Sequence, residues 1–269
     1  WAGALSALLL SAGWVRTSDS GQTNAASLPA CSAVWQFAGY EIWRMDDSLQ
    51  SAAPCVIKLS YGCAGHVNLA RLEMTVGTGS DGAGNITGIL GVASAYLTAT
   101  GTGAGASFWG SAGPGRFCFF VGSTSSASGH FMMSIERIRD SAGDVTGDGF
   151  LVFGAGIDES LVIGVQTFQV LSPQLSYPNS TRMGIFAPSG VTWAGSANDV
   201  GVCPVRFFHG RPSNPSVQWV AYLNGDIPAD SFPMVSLYGV SRRYFAIGSS
   251  RLSTADGLNA ACTLMLLWE

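Results

Sequence analysis

Residues that could do chemistry are sparse in this sequence, and few stand at the spacing a reaction needs. Gly77-Thr78-Gly79-Ser80-Asp81-Gly82 fits the GxGxxG pattern of a dinucleotide loop and follows a strand-like run. That loop works only where a helix begins behind it, because the helix N-terminus holds the pyrophosphate. Ala83-Gly84-Asn85-Ile86-Thr87-Gly88 is a poor helix, and no acid stands where a ribose partner belongs. A hairpin loop is expected instead. Asp144-Val145-Thr146-Gly147-Asp148-Gly149 resembles the opening of a calcium loop, with Asp140 as a further oxygen donor. The closing position, normally a bidentate glutamate, is Ala155. A turn with backbone-bonding aspartates is expected there, and no metal.

The remaining candidates are equally thin. His66, His130 and His209 are scattered, without carboxylates at ligand spacing. No GxSxG elbow occurs. Asp46-Asp47 and Asp158-Glu159 are adjacent acids in turn contexts and read as solvated. A glycosidase pair would come together only in the fold. Cys31, Cys55, Cys63, Cys118, Cys203 and Cys262 are dispersed, with no CxxC, and buried free thiols are expected. Asn85-Ile86-Thr87 and Asn179-Ser180-Thr181 are glycosylation sequons, which matter only in a chain secreted by a eukaryote. No catalytic residue and no cofactor emerge from this reading.

Composition narrows the function further. Charged residues make up 11% of the 269, against about 25% in ordinary soluble domains. Small uncharged residues fill the gap, with 35 Gly. Net charge is −4, Lys58 is the only lysine, and no basic run offers a surface for nucleic acid. So few charges cover a surface poorly, and burial against other chains is the simplest remedy. The opening WAGALSALLLSAGWV is apolar but lacks a basic leader, and it is short and Gly-interrupted for a membrane span.

The elements that would position any site are strands. Cys55, Ile57, Leu59 and Tyr61 alternate with Val56, Lys58 and Ser60; Leu72, Met74 and Val76 alternate with Arg71, Glu73 and Thr75. Period-two patterning means antiparallel strands with one face buried and one wet. About twelve such segments follow one another, punctuated by turn residues, with Asn224-Gly225 the strongest hairpin signal. Gly101 to Gly115, holding Phe108-Trp109, reads as a small-residue loop. Phe131 to Arg139 is a strand with Met133 and Ile135 opposed by Ser134 and Glu136. Ala4 to Ser11 suits two helical turns ended by Gly13.

Several pieces, taken in order, resemble one family. They are Gly13-Trp14-Val15-Arg16-Thr17 with Asp19-Ser20-Gly21-Gln22, then YEIWRMDDSLQSAAPCVIKLSYG, then TVGTGSDGAGNITG. SIERIRDSAGDVTGDG and Tyr244-Phe245-Ala246-Ile247-Gly248 follow later. The pattern is similar to virion structural proteins of tailed bacteriophages, over about the first 150 residues and more loosely beyond. The resemblance implies a particle component, whether head decoration, collar, tail or fibre, and brings no catalytic residues.

The expectation is therefore an all-β protein: an antiparallel β-sandwich of Greek-key or jelly-roll type over residues 31–269, preceded by a helix or arm over 1–30. Its role would be structural and non-enzymatic, in the virion, with partners that are other copies of itself and other virion proteins, and neither nucleic acid nor membrane. Trp1, Leu5, Leu8, Leu9 and Trp14 form an apolar segment that must fold back on its own sheet or reach a neighbour. In the second case, deleting residues 1–16 would weaken assembly more than folding. A trimer is the expected symmetry by analogy with phage fibres. Two other classes stay open. One is a module that binds a host surface glycan, with Trp109 or Trp193 as a sugar platform; the other is a secreted hydrolase.

Overall fold

The computed structural model of the chain describes residues 1–96, 107–122, 130–140, 142–157, 168–171, 182–184, 202–208, 214–222, 227–228, 230–237, 239–253 and 259–269. The fold is antiparallel β-sheet with one short N-terminal helix.

Helix α1 (Ala2–Ser11) is built from alanine and leucine, strong helix formers, and buries Ala2, Leu5 and Leu9. Its end is a Schellman motif. Gly13, at φ 89°, donates to the Leu10 carbonyl, and Trp14 N–H donates to that of Leu9. A 3₁₀ turn at Ala25–Ser27, capped by Asn24, packs against the helix at Gly3. So short a helix is stable only when held by tertiary contacts. Here the hold is polar as well as apolar. Glu41 lies fully buried on the next sheet and accepts hydrogen bonds from Ser6 Oγ (3.3 Å) and Ala25 N–H (3.4 Å). It also accepts from Trp43 Nε1 (3.3 Å) and stands 3.6 Å from the Arg16 guanidinium.

The first sheet contains β1 (Val15–Arg16), β2 (Phe37–Arg44), β3 (Val56–Cys63), β4 (Ala70–Gly77) and β7 (Gly91–Tyr96), in the order β1-β2-β3-β4-β7. Between β4 and β7 a two-stranded ribbon, β5 (Gly79–Ser80) and β6 (Ile86–Thr87), carries the GxGxxG stretch as a hairpin. Its tip needs Gly82 and Gly84 at positive φ, and an added Cβ on Gly84 would strike the Tyr40 hydroxyl.

The second sheet is a meander of β8 (Ser107–Gly113), β9 (Arg116–Gly122), β10 (His130–Arg139), β11 (Val145–Ile157) and β12 (Phe168–Leu171). The third holds β13 (Arg182–Gly184), β14 (Val202–Phe208), β15 (Asn214–Tyr222), β16 (Met234–Leu237), β17 (Val240–Ser253) and β18 (Asn259–Leu267), in the order β13-β14-β15-β18-β17-β16.

Side-chain alternation on the second sheet feeds two cores. Phe117, Phe119, Phe131, Met133, Ile135 and Val152 join Ile57, Leu59, Tyr61, Leu72 and Met74 of the first sheet. Their neighbours Cys118, Phe120, Met132, Leu151 and Phe153 join Trp219, Tyr244, Phe245 and Leu264 of the third. A sheet covered on both faces reads as continuous apolar runs, which explains Phe117 to Val121 and Phe150 to Phe153. It also changes the meaning of Ser134 and Glu136, which face the third sheet rather than water. Trp219 Nε1 donates to Ser134 Oγ at 2.8 Å, and Gln218 Nε2 to the Ile135 carbonyl at 2.9 Å. Part of the stretch expected to be a loop, Gly101 to Gly115, is strand β8. Its small residues pair with β9, and a Cβ on Gly110 would come within 2.7 Å of the Leu8 side chain, which would have to give way.

Candidate functional site

The residues singled out from sequence are mostly taken up by packing. Leu5, Leu9 and Trp14 lie in the core between the first and second sheets. Trp1 meets Phe131 edge-on at 5.0 Å and Tyr61 at 5.7 Å, and half-buried Leu8 packs beside Gly110. Trp14 Nε1 donates to the Gly113 carbonyl at 2.9 Å. The apolar segment thus folds back on its own chain. Trp109 stacks on Phe245 at 4.9 Å and leans on Phe120, so one ring face is already covered. Trp193, His209, Asp158-Glu159, Asn179-Ser180-Thr181 and Asn224-Gly225 lie outside the described residues, as do the side chains of His130, Cys203 and Cys262. Cys31, Cys55, Cys63 and Cys118 are free thiols.

The calcium-like stretch forms a hairpin tip in which Asp140 Oδ1 accepts from the backbone N–H of Ala142 and Asp144, both at 2.9 Å. Among the described residues no three His, Cys, Asp or Glu side chains converge as a metal site would require. Likewise, no described helix is long and apolar enough to cross a membrane.

Among the described residues, a pocket lined by several charged side chains lies at the edge shared by the first two sheets. The loop after β2 supplies Asp46, Asp47, Ser48 and Leu49; the β8–β9 turn supplies Gly113 to Gly115. Arg116 begins β9, and Glu136, Arg137 and Arg139 end β10. The cavity measures about 530 Å³. Pairing with β11 shifts between Arg137 and Arg139, a bulge-like irregularity of the kind that re-aims side chains near sites.

Each charge in the pocket has a distinct state. Arg137 is only 1% exposed at its side chain and grips Asp47 with two hydrogen bonds: Nε to Oδ2, and Nη2 to Oδ1 at 2.8 Å. Its Nη1 donates to the Ala53 carbonyl at 2.9 Å, and its guanidinium lies 5.1 Å over the Phe150 ring. Asp47 is thus a bound partner, not the solvated acid its turn context suggests. Asp46 is exposed and pairs loosely with Arg44 at 3.6 Å.

No family model, curated protein or solved structure matches this chain. Chemical meaning therefore has to come from the geometry.

Glu136 is 2% exposed, and its Oε1 accepts from the Ser216 hydroxyl of β15. Burial raises its pKa, with Ser216, Arg139 and Arg116 pulling the other way. Its Oε2 has no hydrogen-bond partner and faces Arg139 Nε, which also has none, across 3.9 Å. Arg139 Nη1 donates to the Gly143 carbonyl at 2.8 Å, and Arg116 Nη1 to Ser111 Oγ at 3.2 Å. The sequence pattern put Glu136 on the strand face opposite Met133 and Ile135 and gave no role to Arg116, Arg137 or Arg139. The available signal was charge scarcity: Glu136, Arg137 and Arg139 crowd one strand in a chain with 13 basic residues.

Proposed function

We propose that this chain is a non-enzymatic structural component of a tailed-bacteriophage particle, acting through contacts with its own copies and with other particle proteins. Uncovered apolar surface on both outer sheets supports this reading. In the turn leading into β2 of the first sheet, Trp35 is 52% exposed, with Val34 and Phe37 exposed beside it. Trp35 holds a left-handed backbone (φ 59°), which costs of order 1–3 kcal/mol and persists only where the surroundings impose it. Arg71 lies over the rings of both Trp35 and Phe37, and Tyr96 meets Trp35 edge-on at 5.5 Å. On the third sheet, Met234 (64% exposed) and Val240 stand outward on the β16–β17 hairpin. Apolar clusters of this kind mark interaction surfaces, and the low charge content leaves little else to solvate them.

The finer architecture we propose is an antiparallel β-sandwich with Greek-key connection. In the third sheet β15 lies beside β18 while β16 and β17 intervene in sequence, which supports it. Glycan stacking on Trp109 would have to use the ring face that Phe245 does not cover.

The test is incorporation into purified particles, with light scattering of the isolated chain. Trp35→Ser and Met234→Ser should reduce self-association or incorporation while leaving the thermal transition in place. A full-length chain that stays monomeric and is missing from particles would overturn the reading.

A further inference from the structure

Two cysteines from separate parts of the chain meet at the loop that carries Trp35. Cys31 begins that loop, and Cys63 ends β3. A small set of hydrogen bonds ties the loop to the end of the strand. The Gln36 carbonyl accepts from the Cys63 backbone N–H at 2.9 Å and from the Cys31 thiol at 3.6 Å. The Cys63 thiol donates to the Ala33 carbonyl at 3.0 Å, and Trp35 N–H to that of Ala64 at 2.9 Å. One carbonyl therefore joins the two cysteines, and their thiols also interact directly, without a covalent bond. Their access differs. Cys63 is 1% exposed, whereas Cys31 is half-buried and lines a cavity of about 210 Å³ with Trp1, Leu28, Tyr61 and Leu69. Such a cavity admits molecules the size of water or peroxide. Cys55 and Cys118 are fully buried, Cys55 beyond the opposite end of β3 and Cys118 on β9.

We propose that Cys31 and Cys63 form an oxidisable pair, which peroxide converts to a disulfide that locks the Trp35 loop onto β3. The Cys31 thiolate attacks one peroxide oxygen, the O–O bond breaks, and the departing hydroxide takes up the thiol's proton and leaves as water. The Cys63 sulfur then attacks the resulting sulfenic sulfur of Cys31. The S–O bond breaks, and a second water leaves with the Cys63 proton. Two electrons pass from the two thiols to the peroxide. Burial, and then the adjacent Cys63, keep the Cys31 thiol protonated at neutral pH, so the pair stays reduced until oxidant is in excess. The bond would close the chain between positions 31 and 63, which stabilises the fold by restricting the unfolded ensemble. The pairing does not depend on a particle role.

Peroxide treatment of the folded full chain at mildly alkaline pH tests it, followed by blocking of remaining thiols and tryptic digestion without reductant. Cleavage after Arg16, Arg44, Lys58 and Arg71 places Cys31, Cys55 and Cys63 on three different peptides. The expected product is residues 17–44 joined to residues 59–71, recovered from the monomer band of a non-reducing gel. It should be absent from the untreated chain and removed by dithiothreitol. The thermal midpoint of the oxidised chain should rise by about 5 °C or more and return on reduction. Cys31→Ala, a change at a half-buried loop position, should fold and show no such rise. Absence of the joined peptide, Cys31 joined to a different cysteine or to a second copy, or a joined chain with an unchanged midpoint would overturn the proposal.

Discussion

Tyr61 donates its hydroxyl to Glu41 at 2.9 Å, and neither residue has any exposed surface. This bond is the floor on which the N-terminal segment rests. The same carboxylate takes Ser6 from the helix and Ala25 from the turn after it. Burial, and then the adjacent Glu41, hold the Tyr61 hydroxyl well above its usual pKa, so it remains a donor throughout the neutral range. Tyr61→Phe should cost about 1–3 kcal/mol, the range for leaving a buried group unsatisfied. In a double-mutant cycle with Glu41→Gln the two losses should be non-additive. Urea denaturation measures both, and simple additivity would separate the pair.

The two adjacent acids after β2 should behave differently. Asp47→Asn leaves the buried Arg137 guanidinium without its counter-charge, a change that typically costs about 3–5 kcal/mol. Asp46→Asn removes only an exposed contact with Arg44 and should stay within about 0.5 kcal/mol. Equal melting temperatures for the two variants would contradict the geometry.

Glu136 sets a pH dependence of known sign. Its folded pKa lies above the unfolded value of about 4.3, so the native state binds the extra proton between the two. Its contribution is fully present below the unfolded value and is lost as pH rises through the folded one. The stability difference between wild type and Glu136→Gln should therefore shift against the wild type as pH increases across that window. Denaturant midpoints at successive pH values would show it, and a flat difference would count against the burial argument.

Thiol reactivity should be graded. Cys55 and Cys118 are fully buried, and burial drives their pKa far up. Cys31 is half-buried, beside Cys63, with its pKa pushed up to about 11. Among these three, native-state alkylation should reach Cys31 first and accelerate as pH rises towards that value. Peptide mass spectrometry after timed labelling gives the order.

Leu9→Ala should cost about 2–5 kcal/mol, because Leu9 is fully buried in the first core. For the same reason, deletion of residues 1–16 should damage the fold itself, not assembly alone. A truncated chain with an unchanged melting temperature would show that the helix is dispensable.

Much of the fold was legible where one physical signal acted alone. Alternation marked β3 and β4, and Gly82 with Gly84 marked the ribbon hairpin. Alanine, leucine and Gly13 marked the helix and its end. Strand β8 was not legible, because Ser107, Gly110 and Ser111 become a strand only by pairing with β9. The pocket was hidden for a related reason. Asp47 meets a partner 90 positions away, and Glu136 looks like a solvent-facing residue until β15 covers it. Local patterning carries no information about which distant element will cover a face.

The double coverage of the second sheet has a consequence for biosynthesis. Strands β9 to β11 leave the ribosome before any strand of the third sheet exists. Until β15, β17 and β18 follow, the face bearing Phe120, Met132, Leu151 and Phe153 has no cover of its own. At about 5–20 residues per second, the wait from Ile157 to Leu267 lasts on the order of ten seconds. During that interval the nascent chain presents a sticky, strand-rich plane, so chaperone demand should peak midway through translation and fall once β18 closes the face.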